Sequence, residues 1–199
     1  FYDWANSAFA TTVIAGFFPI FFKSFWANSL SDTESTALLG LANSLSGFFI
    51  LIFAPFLGAI ADITFRKKYM LVFFMLIGAG STASFFFIYE GYWMIAVIAY
   101  ILASIGFSGG NIFYDSLIID VSNDQSRNQV SAFGYAMGYL GGGILFVVNV
   151  LMYLQPNIFG LASEIDAVLF SFLSVAIWWS IYTLPLIKFV RERKGEITS

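Results

Sequence analysis

Apolar residues fall in six long runs along this chain, at about 4 to 26, 37 to 60, 69 to 89, 93 to 119, 129 to 154 and 167 to 187, with short polar connections between them. A helix needs ~20 residues to cross ~30 Å of hydrocarbon, and each run is near that length. The pattern predicts an all-α integral membrane protein, a six-transmembrane-helix bundle over residues 1–187 followed by a tail at 188–199. The runs are called spans 1 to 6 in chain order. Within span 4, Ser104, Ser108, Asn111 and Asp115 are spaced four, three and four apart and so share one helical face, which must be wet or paired. Span 1 brings Asp3, Asn6 and Ser7 to the same membrane level, because it begins on the side where span 4 ends. These six polar positions, Asp3, Asn6, Ser104, Ser108, Asn111 and Asp115, are the candidates for solute contact or coupling. The structural alternative has Asp3 capping the first helix and Asp115 paired with a backbone or Asn group.

Small residues mark a second pattern. In span 2, Gly40, Ser44, Gly47, Leu51, Ala54 and Gly58 recur at spacings of four and three, a mostly small stripe, and in span 5 Gly134, Gly138 and Gly142 repeat every four residues. Such stripes let helix backbones approach closely, so both faces are read as helix-packing surfaces. Phe85, Phe86 and Phe87 in span 3 and Trp178 and Trp179 in span 6 read instead as bulky surfaces suited to lipid, which would make those spans peripheral.

Charge sets the orientation. If the connections alternate sides, eight of the nine Lys and Arg residues share one side (Arg66, Lys67, Lys68, Arg127, Lys188, Arg191, Arg193 and Lys194), and Lys23 alone points to the other. The opposite connections carry Asp32, Glu34, Glu90, Glu164 and Asp166. The positive-inside rule makes the basic side cytoplasmic, with both chain ends there. Composition adds little room for another class: 59% apolar and 11% charged residues describe a chain whose solvent is mostly lipid. The connections are too short to bury a core of their own, the net charge of −3 gives no basis for nucleic-acid binding, and the absence of cysteine excludes disulfides. No cofactor or metal is implied, and the expected partners are the bilayer, other helices, a small-molecule solute and protons.

Between spans 2 and 3 runs Gly58-Ala-Ile-Ala-Asp62-Ile-Thr-Phe-Arg66-Lys67-Lys68. It resembles the loop signature of the major facilitator superfamily: a glycine, an aspartate four on, an arginine four further and then basic residues, after the second helix on the cytoplasmic face. Phe65 departs from the glycine usual before the arginine. Asp62, Arg66 and Asp120 are expected to form a charge network that biases the conformational equilibrium, with Asp120 at the end of span 4 as the partner of Arg66. Tyr2-Asp3-Trp4-Ala5-Asn6-Ser7-Ala8-Phe9 and Ser131-Ala-Phe-Gly134-Tyr-Ala-Met-Gly138-Tyr139-Leu140-Gly141-Gly142 resemble helices 1 and 5 of the vacuole-effluxer, autophagy-related branch of that superfamily, and Leu184-Pro185 into Arg191-Glu192-Arg193-Lys194 resembles its exit into a central cytoplasmic loop.

The resemblance covers essentially the whole chain and implies a fold of two inverted three-helix repeats, an N-terminal half to which a second six-helix half or a second copy would be added. The absent initiator Met agrees with a piece of something longer. It also implies alternating access, with helices 1 and 4 lining the cavity, and efflux of amino acids or other small solutes across a plasma (inner) or vacuole-like membrane. Two other classes are weighed. A self-contained six-span channel or exporter that dimerises would need no second half. Gly106-Phe-Ser-Gly109 resembles the serine motif of rhomboid proteases, yet such an enzyme needs a histidine base and this chain has no histidine.

Overall fold

The computed structural model describes residues 1–64 and 66–192, the side chains of Asp62 and Thr64 apart. Among the described residues, six helices are long and apolar enough to cross a membrane: Tyr2–Trp26, Asp32–Ala61, Lys67–Phe87, Trp93–Val121, Arg127–Leu154 and Glu164–Phe189. They overlap the six apolar runs read as spans 1 to 6, with ends that differ by up to five residues; span 3 starts two residues earlier than read and ends two earlier, at Phe87. Spans 2 and 6 run on through Pro55 and Pro185, and span 1 has π-helical turns over Phe9–Phe17 and Phe22–Trp26. Local chemistry fixes the ends. The Ser31 backbone N–H donates to Glu34 Oε2 at 2.9 Å while the Glu34 N–H donates to Ser31 Oγ at 3.3 Å, a reciprocal cap on span 2, and Ser163 Oγ accepts from the Asp166 N–H at 3.1 Å to start span 6.

Helices in a membrane gain little from hydrophobic burial against one another, so close packing and interhelical hydrogen bonds decide the arrangement. Spans 3 and 4 meet where Gly106 and Gly109 face span 3: a Cβ at Gly106 would lie 2.7 Å from the Phe74 carbonyl oxygen, and one at Gly109 would enter the Phe74 ring. Gly78 does the same for Trp179 of span 6. The serine motif of span 4 is thus a helix contact. Toward the face opposite the chain start, the Phe18, Trp26, Phe85 and Phe172 side chains are fully buried. Phe18 stacks on Tyr100 with ring centroids 4.2 Å apart, and Trp26 donates its indole N–H to the Ile88 carbonyl at 3.1 Å.

This core corrects the reading of the aromatic clusters. Phe85 and Trp179 are packed inside, Trp178 stacks on Trp4 and donates to its carbonyl at 3.1 Å, and of these residues Phe87 alone is strongly exposed. An aromatic run carries no direction of its own; the helix phase that puts Gly78 and Leu71 inward also turns Phe85 inward. The small-residue stripes divide as well. Gly40, Gly47 and Gly58 of span 2 have open space where a Cβ would stand. Their helix presents an apolar, largely unpacked face that includes Leu41, Phe48, Leu51 and Phe56. The glycines of span 5 are packed against span 1 within the same bundle.

Candidate solute cavity

The packing of span 1 on span 5 positions the polar groups. A Cβ at Gly134 would lie 2.7 Å from Asp3 Oδ2, one at Gly138 2.7 Å from Ser7 Oγ, one at Gly141 2.5 Å from the Trp4 carbonyl oxygen and one at Gly142 2.9 Å from that of Ser7. Thr11 Oγ1 donates to the Gly142 carbonyl at 3.2 Å. A side chain at any of these positions would push span 1 away, so the glycine stripe seats Asp3, Asn6 and Ser7 deep between spans 4 and 5. Span 4 then supplies the partners. Asn6 Nδ2 donates to Asn111 Oδ1 at 2.5 Å, and Tyr114 Oη donates to Asp3 Oδ2 at 2.7 Å.

Together these residues line a cavity of about 250 Å³ at the end of the bundle that holds the chain start, with Asp3, Asn6, Ser7, Asn111, Tyr114 and Asp115 as its principal polar lining. Aliphatic walls come from Leu117, Val130 and Leu186. Asp3 does not cap span 1, whose first turn has no side-chain cap; it is the acceptor for Tyr114. Asp115 is exposed to the cavity, and its carboxylate has no hydrogen-bond or ion-pair partner among the described residues. Ser104 and Ser108 share the face of Asn111 but do not line the cavity: the hydroxyl of Ser104 is buried without a partner among the described residues. Eleven residues at 1.5 Å each put Ser104 about 16 Å from Asp115 along the helix, where packing has closed the space.

The basic loop is organised differently from the expected pairing. Lys67, not Arg66, reaches Asp120, with Nζ 3.3 Å from Oδ2 and 3.2 Å from the Ser116 carbonyl. Arg66 is the cap residue of span 3 and its side chain is exposed. The Asp62 side chain lies outside the described residues. A partner the sequence reading missed is Glu192, whose two carboxylate oxygens accept the Lys67 and Lys68 backbone N–H groups at 3.0 and 2.9 Å. Lys68 Nζ completes the tie by donating to the Ile187 and Val190 carbonyls at 3.2 and 2.7 Å. The carboxylate thereby satisfies two of the open N–H groups of span 3 and meets the positive end of its dipole. Tyr114, Ser131 and Tyr135 at the cavity, and the buried Asn149 between Thr12 and Ser174, were missed too. A lone Asn in the apolar run Phe146–Leu151 was the visible signal for the last.

Six apolar helices in this arrangement are the fold of one half of a major-facilitator-type transporter. The chain superposes on the inward-open xylose transporter XylE of E. coli with a TM-score of 0.66 at 20% identity, over 96% of this chain and 45% of that one. The family model described as vacuole effluxer Atg22 like matches residues 26–125 and 118–199, and the chain belongs to that family. It is 39% identical over 194 residues to the uncharacterized MFS-type transporter YxiO of Bacillus subtilis (strain 168), across 96% of this chain and 45% of YxiO. An uncharacterized protein of Aquifex aeolicus (strain VF5) is 23% identical over 168 residues, 84% of this chain and 41% of that protein. The chain thus spans less than half the length of these relatives. An MFS-type transporter is not an enzyme, and the protease alternative falls.

Proposed function

We propose that this bundle is the N-terminal half of a secondary active transporter working by alternating access, and that the cavity between spans 1, 4 and 5 is its share of the solute path. The observation that carries this reading is the cavity lining: Asn6 donates to Asn111 and Tyr114 donates to Asp3, while Asp115 faces the space with no hydrogen-bond or ion-pair partner among the described residues. A carboxylate kept near the membrane without a partner is costly, and its default meaning is a contact with solute, water or a proton. Carboxylates for an ammonium group and carboxamides for a carboxylate suit a small zwitterion such as an amino acid, and the family description of an effluxer supports export as the direction. The charge bias supports a cytoplasmic location for the basic face. The open, small-residue face of span 2 supports a second bundle docking there, and relatives more than twice as long favour the missing half over a second copy.

The test uses the full-length transporter in liposomes and a radiolabelled amino-acid mixture. Asp115→Asn keeps the shape and removes the charge, and is expected to flatten the pH dependence of uptake or change substrate preference. Asn111→Ala is expected to cut kcat/KM about tenfold, as removal of one buried hydrogen-bond partner of a solute does. Unchanged rate, pH profile and preference in Asp115→Asn would return that residue to a structural role.

A further inference from the structure

Lys67, not Arg66, reaches Asp120, and the Arg66 side chain stands exposed at the start of span 3. It has no hydrogen-bond or ion-pair partner among the described residues. Arg66 lines an open groove of about 700 Å³ with Tyr69, Met70 and Phe73, residues at i+3, i+4 and i+7 on one face of the helix. That face continues as an unpacked apolar track: Tyr69, Phe73 and Leu76 are 73%, 55% and 60% exposed, and beyond them Gly80 has open space beside it. The opposite face, with Leu71, Phe74, Met75 and Ala79, is the one buried in the bundle. One cation therefore sits at the membrane boundary above an apolar, aromatic-edged track running into the hydrocarbon. Below the Tyr69 hydroxyl at its head, the track is apolar through Met70, Phe73 and Leu76.

We propose that Arg66 and the Tyr69–Phe73 groove form a binding site for an anionic phospholipid, the guanidinium holding the phosphate and the ring faces flanking the acyl chains. A planar fork of donors fits phosphate oxygens at two points, and an aromatic beside it belongs at the headgroup level. The site needs only that this end of span 3 meet the bilayer boundary, so it stands whichever face is cytoplasmic and whatever the transported solute is.

The test is native mass spectrometry of the full-length transporter released from bilayers of equal phosphatidylglycerol and phosphatidylcholine. Retained phosphatidylglycerol is expected on the unmodified protein, with Arg66→Ala lowering its occupancy about fivefold and leaving phosphatidylcholine unchanged. Lys188→Ala, which removes a cation from the same face, is expected to have little effect. Equal losses in both variants would show a general charge effect and overturn the site, as would no loss in Arg66→Ala. Displacement of the lipid by millimolar inorganic phosphate would reduce it to a simple anion site and overturn the lipid assignment. Should Arg66→Ala fail to fold, phosphatidylglycerol with a photoreactive acyl chain is applied to the unmodified protein. Cross-links within residues 66–76 are expected, and cross-links confined to other helices would overturn the proposal.

Discussion

Two buried asparagine contacts show how position decides what a polar residue in a membrane helix is for. Asn149 has no exposed surface; its Nδ2 donates to Thr12 Oγ1 at 3.4 Å, and its Oδ1 accepts from Ser174 Oγ at 3.0 Å, joining spans 1, 5 and 6. Ser174 also donates to the Ser171 carbonyl at 2.7 Å, so it keeps a partner if the amide is lost. Interhelical hydrogen bonds of this kind contribute about 0.6 kcal/mol on average and up to about 1.7. Asn149→Leu, which keeps the branching of the side chain though it is bulkier, is therefore expected to lower stability by at least about 0.6 to 1.7 kcal/mol in a denaturant titration of the full-length protein and to leave transport near its original rate. Asn111, bonded to Asn6 at the cavity wall, is expected to behave in the opposite sense, with a small effect on stability and a large one on transport. A transport defect in Asn149→Leu as large as that in Asn111→Ala would place the triad on the solute path. Spacing alone was enough to put Asn111 and Asp115 on the face and at the depth where the cavity lies, because both are written in the distance to the end of span 4. Ser104 shares that face but lies too deep to line the cavity.

At the scale of the helix, the two glycine stripes have different neighbours although their sequences read alike. Gly141 of span 5 leaves room for the Trp4 backbone, whereas Gly47 of span 2 has nothing within 4 Å. Gly141→Ala is expected to force spans 1 and 5 apart and to cost the bundle ~1 to 3 kcal/mol or more, as overpacking against rigid backbone does, with loss of folded protein in a thermal-shift measurement. Within this chain nothing meets a Cβ at Gly47, so Gly47→Ala is expected to be neutral or to stabilise by up to about 1 kcal/mol through helix propensity in the chain alone, and to destabilise only where the proposed second bundle docks on it. Destabilisation by both would mean that a helix outside this chain packs on Gly47 as tightly as span 1 packs on Gly141. A spacing of four reports only that a backbone can come close; which backbone does so is set by the connections, and the short hairpins between spans 2, 3 and 4 say nothing of where span 1 lands. The aromatic runs failed as predictors for the same reason. Phe85 and Trp179 sit on faces already turned inward by Gly78 and its neighbours, and hydrophobicity alone cannot separate lipid from core when both are apolar.

The basic end of the molecule is tied together by a few charges. Lys67 joins the start of span 3 to the end of span 4 through Asp120, and Glu192, just past span 6, holds the first N–H groups of span 3. Spans 3, 4 and 6 thereby form one unit at that face, while the cavity lies between spans 1, 4 and 5. The six helices and the cluster of cations on one face were legible because length, hydropathy and charge are properties of single segments. The choice of Lys67 over Arg66 was not, since two adjacent cations at the start of a helix differ by about 100° in direction and their sequence does not say which one faces span 4.

The central claim is that the cavity holding Asn111 belongs to a solute path open alternately to the two sides of the membrane. The chain contains no cysteine, so a single thiol can be placed there without background from this half. The most direct measurement is alkylation of Asn111→Cys, in the full-length transporter otherwise freed of cysteine, by a membrane-impermeant maleimide added to vesicles of either orientation. The account predicts labelling in right-side-out and in inside-out vesicles, with no passage of the reagent across the membrane. Labelling in neither orientation, or in only one, would contradict it.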